Sequence, residues 1–228
     1  MQHNLSKLNR DLEGLSSLKI LEWAYGEFTP KIVASSSFQT QSVALLHMIS
    51  EVIPELPVIF LDTGYHFPET LAYRDQLTEL LGLNVLNIKS QAGKDFLQAS
   101  SELHRTNPDL CCQINKVKPL NDALRGYQAL ISGVRRDQTA NRAQLDFVSY
   151  KDNRYKISPM LNWTQKMVWQ YLHEHNLPEH PLLKEGYLSI GCAPCTRAVK
   201  LGEDPRAGRW ANTSKTECGL HLDLKDND

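Results

Sequence analysis

No stretch of the 228-residue chain comes near the roughly 18 consecutive apolar residues that a membrane-spanning helix needs, and Met1 to Asp11 is polar, with no apolar core of a leader. A cytoplasmic protein with no membrane contact is expected. Charge of one sign is missing as well. Lys+Arg number 25 against 26 Asp+Glu, for a formal net charge of -1, so no global field recruits nucleic acid or an anionic membrane, and any anion site must be local. No glycine pair has GxG spacing and no GxxxxGK[ST] occurs, which removes the dinucleotide fingerprint and the Walker loop. Neither an internal repeat nor a low-complexity tract is found. Cysteine is scarce: five residues would leave one over in a disulfide scaffold, and in a reducing compartment their expected uses are metal ligation and catalysis. An odd count suggests a partition of four plus one.

What is present points to one domain of α/β type. The length and 41% hydrophobic content suffice for one substantial core. Leu8, Leu12, Leu15, Leu18, Leu21 and Ala24 recur at helical spacing and predict N-terminal helices within residues 1–25. Lys31–Ser35, Val58–Leu61, Val85–Ile88 and Ala129–Ser132 read as short strands, separated by helical stretches such as Ser42–Val52 and Leu71–Leu81. That alternation predicts a Rossmann-like parallel sheet. Phe147–Tyr150 and Tyr155–Ser158 flank a hairpin turn at Lys151–Arg154, and Thr164 caps a further helix to His173. From Asn176 onward Pro, Gly and charge dominate, predicting a loop-rich C-terminal segment whose last part, 200–228, is a mobile tail.

Ligands of an open parallel sheet sit beyond the carboxyl ends of its strands. After the first strand stand Ser35, Ser36 and Ser37, which either cap the following helix or present donors to a phosphate or sulfate at its positive end. After the second comes Leu61-Asp62-Thr63-Gly64-Tyr65-His66-Phe67-Pro68-Glu69-Thr70, where Gly64 permits a tight turn and Pro68 opens a helix. After the fourth come Arg135, Arg136 and Arg142, whose planar guanidinium groups suit a phosphosulfate. His173, His175 and His180 read as surface groups, and Trp23, Trp163, Trp169 and Met48 as packing residues.

Cys111 and Cys112 are adjacent, and Cys192-Ala-Pro-Cys195 is a CxxC pair far downstream. Two remote thiolate pairs suit an iron–sulfur cluster or a tetrahedral zinc, although structural zinc sites usually space their paired ligands by two to four residues.

Four blocks taken together resemble the assimilatory adenylyl-sulfate (APS) reductases of the iron–sulfur type, within the wider APS/PAPS reductase family. They are Ser35-Ser36-Ser37-Phe38, the Leu61–Thr70 block, the two cysteine pairs, and Gly208-Arg209-Trp210 with Glu217-Cys218-Gly219-Leu220-His221. The resemblance implies an adenine nucleotide α-hydrolase-like (PP-loop-type) fold and a [4Fe-4S] cluster on Cys111, Cys112, Cys192 and Cys195. It implies Cys218 as nucleophile, and Lys116, Arg206, Arg209 and His221 join the serines and the Arg135, Arg136 and Arg142 cluster as substrate-binding residues. The implied reaction is reduction of adenosine 5′-phosphosulfate to sulfite and AMP through a cysteine S-sulfonate. Thioredoxin, or glutaredoxin, is the reductant, and the setting is assimilatory sulfate reduction and cysteine biosynthesis. A homo-oligomer is compatible with the chain. Two departures stand out: the CCxxRK pattern reads Cys111-Cys112-Gln113-Ile114-Asn115-Lys116, without its arginine, and the Ser35–Gln39 loop is more like that of the cluster-free phosphoadenylyl-sulfate (PAPS) enzymes. PAPS reduction, alone or alongside APS, is therefore the nearest alternative. More distant are an ATP-using enzyme of the same fold, opposed by the absence of SGGxDS, and a zinc-stabilised nucleotide-binding module.

Overall fold

The computed structural model describes residues 4–90, 102–211, 215 and 217–220. Its contacts group the chain into two compact units. The first comprises Met1–Phe60, Arg74–Leu86 and Gly126–Pro178, and the second Leu61–Tyr73, Asn87–Arg125 and Glu179–Asp228. Both are assembled from separate stretches of chain, which a length argument cannot reveal.

Most of the sheet, in the order β3-β2-β1-β4-β6-β5, lies in the first unit. β1 (Ile32–Ser35) pairs in parallel with β2 (Pro57–Asp62) and β4 (Ala129–Ser132), and β4 pairs in parallel with β6 (Arg154–Ile157). β4 is buried at every position, as a central parallel strand covered on both faces should be. β5 (Val148–Lys151) returns antiparallel to β6 through Asp152 and Asn153, both left-handed at φ 51° and 56°, the two-residue turn that suits a hairpin. β3 spans Asn84–Lys89.

Capping side chains set the helix starts. Asn4 caps α1 (Leu5–Glu13), Ser16 caps α2 (Ser17–Phe28), and Thr164 accepts from the Met167 amide at 3.2 Å ahead of α8 (Gln165–Glu174). α2 buries Ile20, Leu21, Ala24 and Phe28, one helical stripe. α3 (Val43–Val52) is buried almost all round, including Met48. Asn9 bonds both the Val148 carbonyl and the Val148 amide at 2.8 Å, so an amide side chain occupies the free edge of β5.

α4 (Pro68–Leu81) changes unit after Tyr73. The second unit continues with α5 (Leu103–Thr106), α6 (Pro108–Cys112), a π turn at Gln113–Val117, and α7 (Lys118–Ala123). Asn107 caps α6, with Pro108 in its first turn. The wider turn falls just before Pro119, whose ring would clash with the carbonyl of Asn115 in a regular helix. Beyond residue 178 the described residues are mostly in loops, as expected, with 3-10 turns at Pro181–Glu185 and Ala193–Cys195. An isolated antiparallel bridge joins Thr196 to Arg209, and a Gly208 Cβ would stand 2.2 Å from the Arg197 carbonyl oxygen, so the two backbones meet only because Gly208 has none. His180 is 1% exposed, not at the surface.

Candidate active site

In the first unit, Ser35 pairs with Ser132, which sets the loops after β1 and β4 side by side at the carboxyl end of the sheet. Phe38 shapes the first loop: its ring is fully buried, edge-on to Phe60 at 5.6 Å, and its backbone is left-handed at φ 51°. The Ser36 hydroxyl accepts from the Phe38 amide at 3.1 Å, and the Ser37 and Ser42 hydroxyls lie 3.3 Å apart. Ser36 thus supports the turn locally, while Ser37 is exposed and Ser35 half-buried, just ahead of α3.

The arginine cluster is tied inward. Arg135 is 2% exposed; its Nε donates to Asp137 at 3.0 Å and its Nη2 to Gln41 at 2.8 Å, linking the two loops. Arg136 donates to the Leu145 carbonyl and to Asn162, and Arg142 to Gln138, whose side chain also accepts from the Arg135 amide.

In the second unit the Leu61–Thr70 block forms a tight loop. Gly64 is left-handed at φ 73°, and its amide donates to Asp62 at 3.0 Å. Burial opposes the Asp62 charge, but the Gly64 amide and Lys89, 3.1 Å away, hold its pKa below the ordinary value. Thr63 accepts from the Tyr65 amide and lies 3.4 Å from Cys192 Sγ, while the Tyr65 carbonyl accepts from the Ala193 amide at 2.7 Å. These bonds pin the loop to the CxxC segment.

Cys111, Cys112, Cys192 and Cys195 line one pocket, together with Thr63, Tyr65, His104, Pro108, Asn115, Lys116, Arg209 and Trp210. None of the five cysteines is in a disulfide. Among the described residues no three His, Cys, Asp or Glu side chains are grouped as they would be about one ion, although the four thiols line the same pocket. Burial pushes Cys111 and Cys112 up and Cys195 up to about 11, with Cys192 adding to each. Protons therefore stay on these sulfurs unless iron or another thiophilic cation displaces them. An all-sulfur set of this kind suits such a metal centre. Burial also opposes the Lys116 charge, yet Cys192, Cys218 and Cys112, in their ionised forms, carry its pKa above the ordinary lysine value.

Arg209 is fitted closely into this wall. A Cβ on Gly191 would stand 2.4 Å from its Nη2, Nη1 donates to the Ile190 carbonyl at 3.1 Å, and the guanidinium lies 4.5 Å from the Trp210 ring centroid. Its Nε is buried without a hydrogen-bond partner among the described residues. Cys218 is half-buried and is not in the cavity lining. Its neighbour Glu217 is buried and pairs with Arg206 at 3.6 Å, and Lys215 pairs with Asp109 of α6. His221 lies outside the described residues.

Thr63, Tyr65, His104 and Trp210 also belong to this wall but were not singled out as site residues from the sequence. Thr63 and Tyr65 sit inside a block already marked by its position after β2. His104 carried no signal.

Residues 31–198 match the family described as phosphoadenosine phosphosulfate reductase domain. The adenosine 5′-phosphosulfate reductase of Streptomyces coelicolor is 44% identical over 219 residues, 94% of this chain and 92% of its own. The phosphoadenosine 5′-phosphosulfate reductase of Gloeobacter violaceus is 43% identical over 227 residues, 96% of this chain and 94% of its own. Among solved structures, phosphoadenylyl-sulfate reductase from Candida auris, in a phosphate complex, is 28% identical with a TM-score of 0.75 over 85% of this chain and 96% of its own. FMN adenylyltransferase from Candida glabrata, at 15% identity, TM-score 0.56 and coverage of 89% and 76%, shares the fold.

Proposed function

The chain belongs to the phosphoadenosine phosphosulfate reductase domain family, and from that premise we propose that it reduces adenosine 5′-phosphosulfate to sulfite and AMP. Relatives named for either sulfonucleotide match it about equally well, so identity alone does not choose the substrate. The observation that carries the choice is that four thiols line one pocket, a set which the resemblance links to the APS enzymes.

By their chemistry as an all-thiol donor set lining one pocket, Cys111, Cys112, Cys192 and Cys195 fit a [4Fe-4S] cluster and would together hold it. When bound, the cluster supplies a structural tie between two cysteine pairs remote in sequence, and a fixed electrostatic centre beside Lys116.

The chemistry falls to Cys218. Its thiolate attacks the sulfur of the phosphosulfate, an S–S bond forms, the S–O bond to the phosphate breaks, and AMP leaves with that electron pair. A dithiol of the thioredoxin or glutaredoxin class then attacks Cys218 Sγ, sulfite departs with the electron pair of the S–S bond, and the second thiol closes the donor's disulfide, restoring Cys218. Both electrons come from the dithiol. Lys116, near Cys218, together with Arg206 and Arg209 on the same unit, offsets repulsion between a thiolate and an anionic substrate. In the first unit Ser35, Ser36 and Ser37, with Arg136 and Arg142, are proposed contacts of the nucleotide's anionic groups, while Arg135 supports their loop. Among the described residues no helix is long and apolar enough to cross a membrane, and we place the reaction in the cytoplasm, supplying sulfite for cysteine biosynthesis.

The test is anaerobic sulfite release from each sulfonucleotide with thioredoxin. A higher kcat/KM for APS is expected, and a higher value for the 3′-phosphorylated nucleotide reverses the choice. Without thioredoxin, one AMP per active site and one sulfonate on the Cys218 peptide are expected. An adduct on Cys192 or Cys195, or undiminished turnover by Cys218→Ser, refutes the assignment of the nucleophile.

A further inference from the structure

Asn115 sits in the π turn between the adjacent cysteines and Lys116, 6% exposed and on the wall of the thiol cavity. Its side-chain amide reaches back to a single residue: Nδ2 donates to the Cys111 carbonyl at 3.1 Å and lies 3.7 Å from Cys111 Sγ, within hydrogen-bonding range for sulfur. A primary amide has two N–H groups, so one nitrogen serves both acceptors. A π turn leads a carbonyl to the amide five residues on, and here the Asn115 side chain brings the Cys111 carbonyl a donor from position i+4. Buried and anchored at the carbonyl, the amide has little freedom to turn its other hydrogen away from the sulfur.

We infer that Asn115 is a positioning residue that fixes Cys111 and donates an N–H···S hydrogen bond to its thiolate, a neutral donor at the place where the CCxxRK pattern has arginine. This rests on the reading of the four thiols as cluster ligands. Such a bond withdraws charge from the sulfur, lengthens the iron–sulfur bond and favours the reduced cluster.

The experiment compares the anaerobically purified protein with Asn115→Ser and Asn115→Leu. A serine hydroxyl can still bond the carbonyl four residues back but does not reach the sulfur; leucine, of similar size, loses both bonds. Readouts are iron per chain, the iron–cysteine stretching bands in resonance Raman spectra, the cluster potential, and the rate of iron loss to a chelator. Asn115→Ser should retain iron, shift a stretching band to higher frequency and lower the potential, with no faster loss of iron to the chelator. Asn115→Leu should do at least as much. If Asn115→Leu does not fold, Asn115→Ser decides alone. A serine variant identical to the native protein in all four readouts overturns the sulfur bond and leaves a backbone role only. Native protein that holds no iron overturns the cluster reading, and this inference with it.

Discussion

Acidification should weaken this fold through His180 by an amount the structure sets. The ring is 1% exposed. Its Nδ1 accepts from the Leu182 amide at 3.2 Å, so the proton of the neutral ring is on Nε2, which donates to Thr70 at 2.9 Å. A second proton would have to displace the Leu182 amide. Burial accordingly lowers the pKa from 6.5 to about 4, with Glu69 opposing. Between those values the unfolded chain binds a proton that the folded chain does not. Stability is therefore complete above about pH 6.5 and declines as pH falls towards 4. The shift amounts to about 3 kcal/mol, accrued at about 1.4 kcal/mol per pH unit. Urea denaturation of the native protein and of His180→Gln at pH 7.5, 6, 5 and 4.5 measures it as a difference, which removes groups common to both. The native advantage should shrink by most of that 3 kcal/mol across the series. A constant difference, or an NMR titration of the His180 ring with its midpoint near 6.5, would refute the reasoning.

Two further outcomes follow from close contacts. Gly191→Ala places a methyl on the Arg209 guanidinium; the protein should fold, and KM for the sulfonucleotide should rise about tenfold to a hundredfold as a charge-assisted contact is lost, measured by initial rates. An unchanged KM would mean that Arg209 does not bind substrate from this seat. Arg135→Met should cost about 2–4 kcal/mol in denaturant unfolding, because it removes a buried cation from Asp137 and Gln41, whereas a change in KM with full stability would make Arg135 a direct ligand.

The parallel strands were legible because each is a short apolar run bounded by turn residues, and the hairpin because Asp152 and Asn153 suit left-handed backbone. The helical stretch from Leu103 to Ala123 was not, since Pro108, Pro119 and the adjacent cysteines interrupt any apolar stripe. Burial was harder still. Arg135 is marked as cationic by its type, but nothing in the order of residues shows that Asp137 and Gln41 enclose it. His180 looked like one of three surface histidines, and its partner Thr70 lies 110 residues away. The cysteine pairs were visible as pairs. Thr63 beside Cys192 depends on a loop contact across 129 residues, which local spacing cannot encode.

Because each compact unit is drawn from three separate stretches, with the second finishing only at the C-terminus, the order of synthesis constrains assembly. The first unit is available once the ribosome has released residue 178, while Cys111 and Cys112 must wait for Cys192 and Cys195. Any group held by all four thiols could therefore enter only after residue 195 had been made, with the first unit already available. A chain stopped short of that point would carry Cys111 and Cys112 without the second pair of thiols.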